Sequence, residues 1–371
     1  MPQTSIRYIL STLVLTLLSA GLMAQNCHIT GRVAVPELQN KSITVINMNT
    51  GKPLATTKIV DSTFAFDITL SEPFVGMLKT DPQNNHPRSY YYLRIVGEPG
   101  DIYADLLTDS LSGTPLNDRL YEYLKTSNYE ISVINAYYTQ LGESINAPED
   151  VRKELSDKME KTVENLFSMM RNTFEENKTN AFSAFVLEDL LNYDEELDYE
   201  TVLKMLEGAA PVVTSYQTLK TKLAAMEKVS HTAPGKQFID LDLTDYKTGK
   251  PIKLSKVIKG KVALIDFWAS WCGPCRREIP NLAKIHEKYG NNKDFVLISL
   301  NVWDKPDAQA KAIKDMKMVW TQLTDATRNA TDTYGVDGIP QILLIGKDGK
   351  ILARDLRGEE VEKAVKRALG Q

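Results

Sequence analysis

The sequence predicts a multi-domain protein: a small N-terminal β-sandwich or barrel, a central α-helical segment and a C-terminal α/β domain. Three observations carry that prediction. The 371 residues exceed the roughly 100–200 that one domain usually holds. Apolar residues alternate with period two up to about residue 110, recur at helical spacing from about residue 116, and fall into alternating strand-like and helix-like runs from about residue 230. A hydrophobic fraction of 43% with 25% charged residues fits folded domains rather than disorder. The expected boundaries are a signal peptide over 1–24, a β-rich domain over 25–115, a helical segment over 116–229 and the α/β domain over 230–371.

The first 24 residues read as an export signal. Arg7 precedes an apolar segment over 9–18 broken by Ser11, Thr12 and Thr16, and Ser19, Ala20 and Gly21 lead to a cleavage site after Ala24. An uncleaved membrane anchor is the alternative, disfavoured by the short and punctuated apolar run. In the β-rich domain, strands are expected at 29–35, 43–46, 64–70, 74–78, 90–96 and 102–107, each bounded by Asn, Gly, Pro, Asp or Ser. Glu98-Pro99-Gly100-Asp101 supplies a turn before the last of them. Leu120, Tyr123, Leu124, Ile131, Ile134 and Tyr138 then mark a helix, and Leu155, Met159, Val163, Leu166, Phe167 and Met170 a second one opened by Pro148-Glu149-Asp150. Further helical patterns run over 182–191, 202–206 and 219–226. Their Met and aromatic stripes suit core packing, with a ligand groove as the rarer use.

The third segment opens at Ala233-Pro234-Gly235-Lys236. Strands are expected at 238–241, 262–267, 295–300, 342–345 and 351–353, the last two joined by the turn Lys347-Asp348-Gly349-Lys350. Helices are expected from Gly273 to Tyr289, over 308–316 and over 360–369. A net charge of -4 and the absence of any long basic block argue against a nucleic-acid partner.

Cys27, Cys272 and Cys275 are the only cysteines, too few for a disulfide framework. Cys27 reads as an incidental thiol, since Ala24-Gln25-Asn26 does not suit a lipid-anchored cysteine. Cys272 and Cys275 flank Gly273-Pro274 where an apolar strand gives way to a helix. Unpaired helix amides favour the thiolate of the first, so Cys272 is assigned as the attacking nucleophile and the less exposed Cys275 as the resolving thiol. Half of a zinc site is the alternative, but His28, His86, His231 and His286 supply no paired ligand signature. Asp266 interrupts the apolar run over 262–265. Burial should raise its pKa and suit it to accept a proton from the resolving thiol; the alternative is a strand-end Asp capping a backbone group.

These residues resemble the active site of the thioredoxin superfamily. The stretches Gly249-Lys250-Pro251-Ile252-Lys253-Leu254-Ser255, Gly260-Lys261-Val262 and Arg276-Arg277-Glu278-Ile279-Pro280 narrow the resemblance to its exported TlpA/ResA-like, redoxin-related group, over residues 230–371. The resemblance implies a thioredoxin fold, and supports Asp266 as the buried acid. It implies a cis proline at Pro340 beside the cysteines, and a backbone at Ile339 that pairs with substrate. A trans strand-start proline is the plain alternative. Trp271, Gly273, Pro274, Ile339 and Pro340 are therefore the substrate-binding candidates. Pro280 is implied as a helix kink. Trp268 and Trp271 flank the site, Trp268 expected as core and Trp271 as a shield over the disulfide. Many group members carry Asn where Asp266 stands, and group members often place a second acidic residue near the site, for which Asp304 and Asp325 are candidates.

The function expected is an exported, periplasmic thiol–disulfide oxidoreductase that reduces disulfide-bearing proteins. No cofactor is expected beyond the redox-active Cys272–Cys275 pair, and no metal. The oxidised pair would be reset by a membrane thiol-transport donor, since no nucleotide or flavin fingerprint is present. A dithiol oxidase or isomerase on the same fold is the closest rival. A docking protein whose residues 26–228 carry the main role is the rival of another class.

Overall fold

A computed structural model describes residues 25–82, 90–325 and 327–371. The expected signal peptide over 1–24 and His86 lie outside the described residues. Two compact units result, Met1–Leu190 with Gly208–Gln217, and Leu191–Glu207 with Thr218–Gln371.

In the first unit the strands are β1 (Gln25–Arg32), β2 (Ser42–Asn47), β3 (Lys52–Lys58), β4 (Thr63–Leu70), β5 (Phe74–Thr80), β6 (Tyr92–Gly97), β7 (Gly100–Asp105) and β8 (Ser110–Ser112). They form two four-stranded sheets, β4-β1-β7-β8 and β3-β2-β5-β6, rather than one closed barrel. Alternation aims Cys27, Ile29 and Gly31 of β1 inward. Gly31 must be glycine, because a Cβ there would meet the Ala104 carbonyl oxygen at 2.2 Å. Two strands escape the sequence reading. β3 has no buried residue and so no apolar alternation, and β8 is only three residues long.

The helices are α1 (Pro115–Glu143), α2 (Glu149–Asn177), α3 (Phe182–Tyr193), α4 (Tyr199–Met205), α5 (Pro211–Thr214) and α6 (Gln217–His231). Pro115 opens α1, whose first amides, at Leu116 and Asn117, donate to the buried Glu98 carboxylate at 2.7 and 3.2 Å. α1 and α2 bury residues only near the start of the first and the end of the second. Arg94 of β6 bonds Asp189 and Glu188 of α3 at 2.7 and 3.3 Å, and Tyr123 and Tyr216 donate to the same two carboxylates.

The second unit continues with β9 (Asp242–Asp245), β10 (Pro251–Lys253), α7 (Leu254–Ile258), β11 (Val262–Trp268), α8 (Gly273–Tyr289), β12 (Phe295–Asn301), α9 (Pro306–Asp315), β13 (Thr321–Thr324), α10 (Asn329–Tyr334), β14 (Gln341–Ile345), β15 (Ile351–Ala353) and α11 (Glu359–Ala368). The sheet order is β10-β9-β13-β12-β11-β14-β15, with β11 parallel to β12 and antiparallel to β14. All seven residues of the central β11 are buried, as a strand covered on both faces requires. Val262, Leu264 and Trp268 face a layer that includes Ile279 and Leu282 of α8 and Val361 of α11. Ala263, Ile265 and Phe267 face Leu300, Tyr334 and Val336 on the other side. Period two therefore puts Asp266 on the α8 face, the face that also holds Cys272 and Cys275.

The strand expected over 238–241 does not form. That segment runs as a connection anchored by the Tyr334 hydroxyl on the Ile239 carbonyl at 2.7 Å, and β9 follows it. The position 229/230 falls inside α6, whose end is tied down by Arg354 donating to the Thr232 carbonyl at 3.1 Å.

Candidate active site

Cys272 is the N-cap of α8, and its Sγ accepts the backbone N–H of Cys275 at 3.1 Å. Pro274 lies in the first turn, where the missing N–H costs nothing. No acidic side chain stands in that turn to offset the positive end of the helix, which favours negative charge on Sγ. Cys272 and Cys275 are joined as a disulfide, with Cα atoms 5.3 Å apart. Their exposures, 3% and 1%, are nearly equal, so what separates the two sulfurs is place on the helix rather than access.

The Ile339–Pro340 peptide is cis, and the Ile339 carbonyl oxygen lies 3.5 Å from Cys272 Sγ. The Arg357 guanidinium donates to the Pro340 carbonyl and so holds this loop from behind. A cleft of about 450 Å³ opens beside it, lined by Gly338, Ile339, Pro340, Gln341, Arg354 and Arg357 among others. Trp271 is 61% exposed, its indole N–H donating to the Trp303 carbonyl at 3.0 Å. Trp268 is fully buried in the core. Pro280 lies inside α8, about one and a half turns beyond Cys275.

Asp266 is buried and caps no backbone group. Its Oδ2 accepts from the Ser299 hydroxyl at 3.2 Å, and its Oδ1 has no partner. Burial pushes its pKa up to about 7, helped by the Glu278 carboxylate and opposed by the Ser299 hydrogen bond and the Arg357 charge. The alternative of a capping aspartate is thereby set aside.

Neither further acid is free for chemistry. Asp304 accepts from Ser270 N at 2.6 Å, Ser270 Oγ at 2.9 Å, Asn301 Nδ2 at 3.0 Å and Lys305 N at 2.8 Å. Its burial alone would raise the pKa, but these hydrogen bonds outweigh it and hold the carboxyl below its usual range. Asp304 thus fixes the residues that lead into Cys272. Asp325 is spent on the backbone at Thr327 and Ala330, at the start of α10.

Sequence reasoning missed Ser299, Trp320, Glu278 and Arg357. Only Ser299 carried a signal, as the one polar residue in the run Phe295–Leu300, and its partner depends on a β11–β12 register that spacing does not reveal.

A family model described as Redoxin matches residues 230–369. The thiol-disulfide oxidoreductase ResA of Bacillus cereus is 31% identical over 168 residues, which span 91% of that protein and 45% of this chain. This chain belongs to the ResA-like thiol–disulfide oxidoreductases. It is thus a redox enzyme with a C-terminal thioredoxin-like domain. The thiol:disulfide interchange protein HelX of Rhodobacter capsulatus is 32% identical over 131 residues, 61% of its length and 35% of this chain. The thioredoxin domain of a thiol-disulfide oxidoreductase from Bacteroides vulgatus is 30% identical, covering 36% of this chain and 96% of that one, with a TM-score of 0.34. These two relatives each leave more than half of the present chain unmatched.

Proposed function

We propose that this enzyme is an exported reductase of protein disulfides, working in the periplasm through the dithiol Cys272–Cys275. One observation supports this most: a cysteine N-cap beside the cis-Pro340 loop, on the same sheet face as the buried Asp266. The Cys272 thiolate attacks a substrate disulfide, forming a mixed disulfide and releasing one substrate thiolate. Cys275 passes its proton to the Asp266 carboxylate. Its thiolate then attacks Cys272 Sγ, so the Cys272–Cys275 bond forms and the second substrate thiolate leaves. The substrate chain would lie along Ile339 and Pro340, which line the adjoining cleft, with Trp271, Gly273 and Pro274 as its other proposed contacts. Two electrons must then be returned from outside, and a membrane thiol transporter is the donor we propose.

The test is trapping. Cys275→Ser should accumulate a covalent adduct with a disulfide-bearing protein, releasable by dithiothreitol, and Cys272→Ser should form none. Adduct formation through Cys275 in the Cys272→Ser protein would overturn the assignment.

A further inference from the structure

Asp266 is held on one side only. Ser299 lies directly opposite it in the β11–β12 pairing and donates its hydroxyl proton to Oδ2 at 3.2 Å. Trp320, just before β13, donates its indole N–H to Ser299 Oγ at 2.9 Å. An indole can only donate, and a serine hydroxyl has one proton. With Trp320 occupying an acceptor position on Oγ, the Ser299 proton is directed to Oδ2. Asp266, Ser299 and Trp320 are 1%, 0% and 3% exposed, so solvent does not compete for these bonds. Oδ1, buried and unpartnered, keeps its lone pairs free.

We propose that Ser299 and Trp320 are positioning residues for the exchange reaction: they anchor Asp266 through Oδ2, favour its charged form and reserve Oδ1 for the incoming proton. This rests on Asp266 being the proton acceptor for Cys275. The other charged or titratable groups facing Asp266 are Glu278 and, when reduced, the two cysteines from α8, and Arg357 from the connection before α11. Glu278 and Arg357 act in opposite directions on its charge. β14 offers the apolar Ile342 opposite it. Ser299 is thus the hydrogen bond that orients the carboxylate.

The experiment follows the Asp266 carboxyl by carbon NMR in the oxidised full chain, where the disulfide does not titrate. Ser299→Ala should raise the titration midpoint by about one unit, because a hydrogen bond to the charged form is lost. Ser299→Thr, which keeps the hydroxyl, should restore it, and Trp320→Phe should give a smaller rise. The pH profile of mixed-disulfide resolution should move the same way. A Ser299→Ala midpoint coinciding with wild type overturns the relay while leaving Asp266 as acceptor. A resolution profile unchanged by Asp266→Asn overturns the acceptor reading, and with it the relay's part in exchange. Should Ser299→Ala not fold, the Trp320→Phe midpoint decides.

Discussion

A carboxylate in the middle of a fully buried strand weakens the fold at neutral pH. Asp266 has a pKa near 7 in the folded chain, against about 3.9 when unfolded. The folded state therefore holds the proton more tightly. Its contribution to stability is fully present below about pH 4 and is lost as pH rises towards 7, on the order of 4 kcal/mol in all. Asp266→Asn should remove that dependence: its stability relative to wild type, from urea midpoints, should increase between pH 5 and pH 8. A constant difference across that range would contradict a raised pKa. The same variant should slow resolution of the mixed disulfide near neutral pH. At this scale the sequence was informative where a residue type broke its surroundings. Two cysteines at a strand-to-helix switch and an acid in an apolar run stand out unaided. Ser299 and Arg357 do not, because their roles depend on strand register and on a connection folding back to Pro340.

Elements hold the site through a few polar anchors. The connection after β12 grips the segment before Cys272 through Asp304, whose carboxylate takes four hydrogen bonds from Ser270, Asn301 and Lys305. Asp304→Ala leaves the Ser270 amide without that acceptor and should cost about 2–3 kcal/mol in chemical denaturation. It should also alter the fluorescence of Trp271, which the same connection holds at Trp303. In the other unit, Arg94 stands between Glu188 and Asp189 with its side chain 20% exposed. Arg94→Met strands two largely buried carboxylates and should destabilise that unit by about 3–5 kcal/mol, read from its unfolding transition. Elements marked by a continuous apolar run or a helical period were legible, such as β11, β14 and α8. β3 and β13 were not. The first presents no buried side, and the second is a four-residue strand with only two buried residues.

On the scale of the whole molecule, the redox chemistry occupies less than half of the chain. The Redoxin match begins at residue 230, inside α6, yet Val229 lies against Gly335 and Thr232 accepts from Arg354. A chain starting at Thr218 should therefore unfold at a higher temperature than one starting at Ala233, which leaves the half-buried Arg354 without its Thr232 acceptors. Equal midpoints would show that α6 contributes nothing to the thioredoxin-like unit. Organisation into β-rich, helical and α/β stretches was legible from changes of period. The grouping into two units was not, because it depends on which helices pack together. Cys27 is buried, which pushes its pKa up to about 11, so the intact chain serves for redox titration. The measurement that bears most directly on the central claim is the reduction potential of Cys272–Cys275, by equilibration with glutathione. A reductase fed by a dedicated donor should give a value near that of thioredoxin, about -270 mV. A value near -120 mV would contradict it and make the enzyme an oxidant of newly exported thiols.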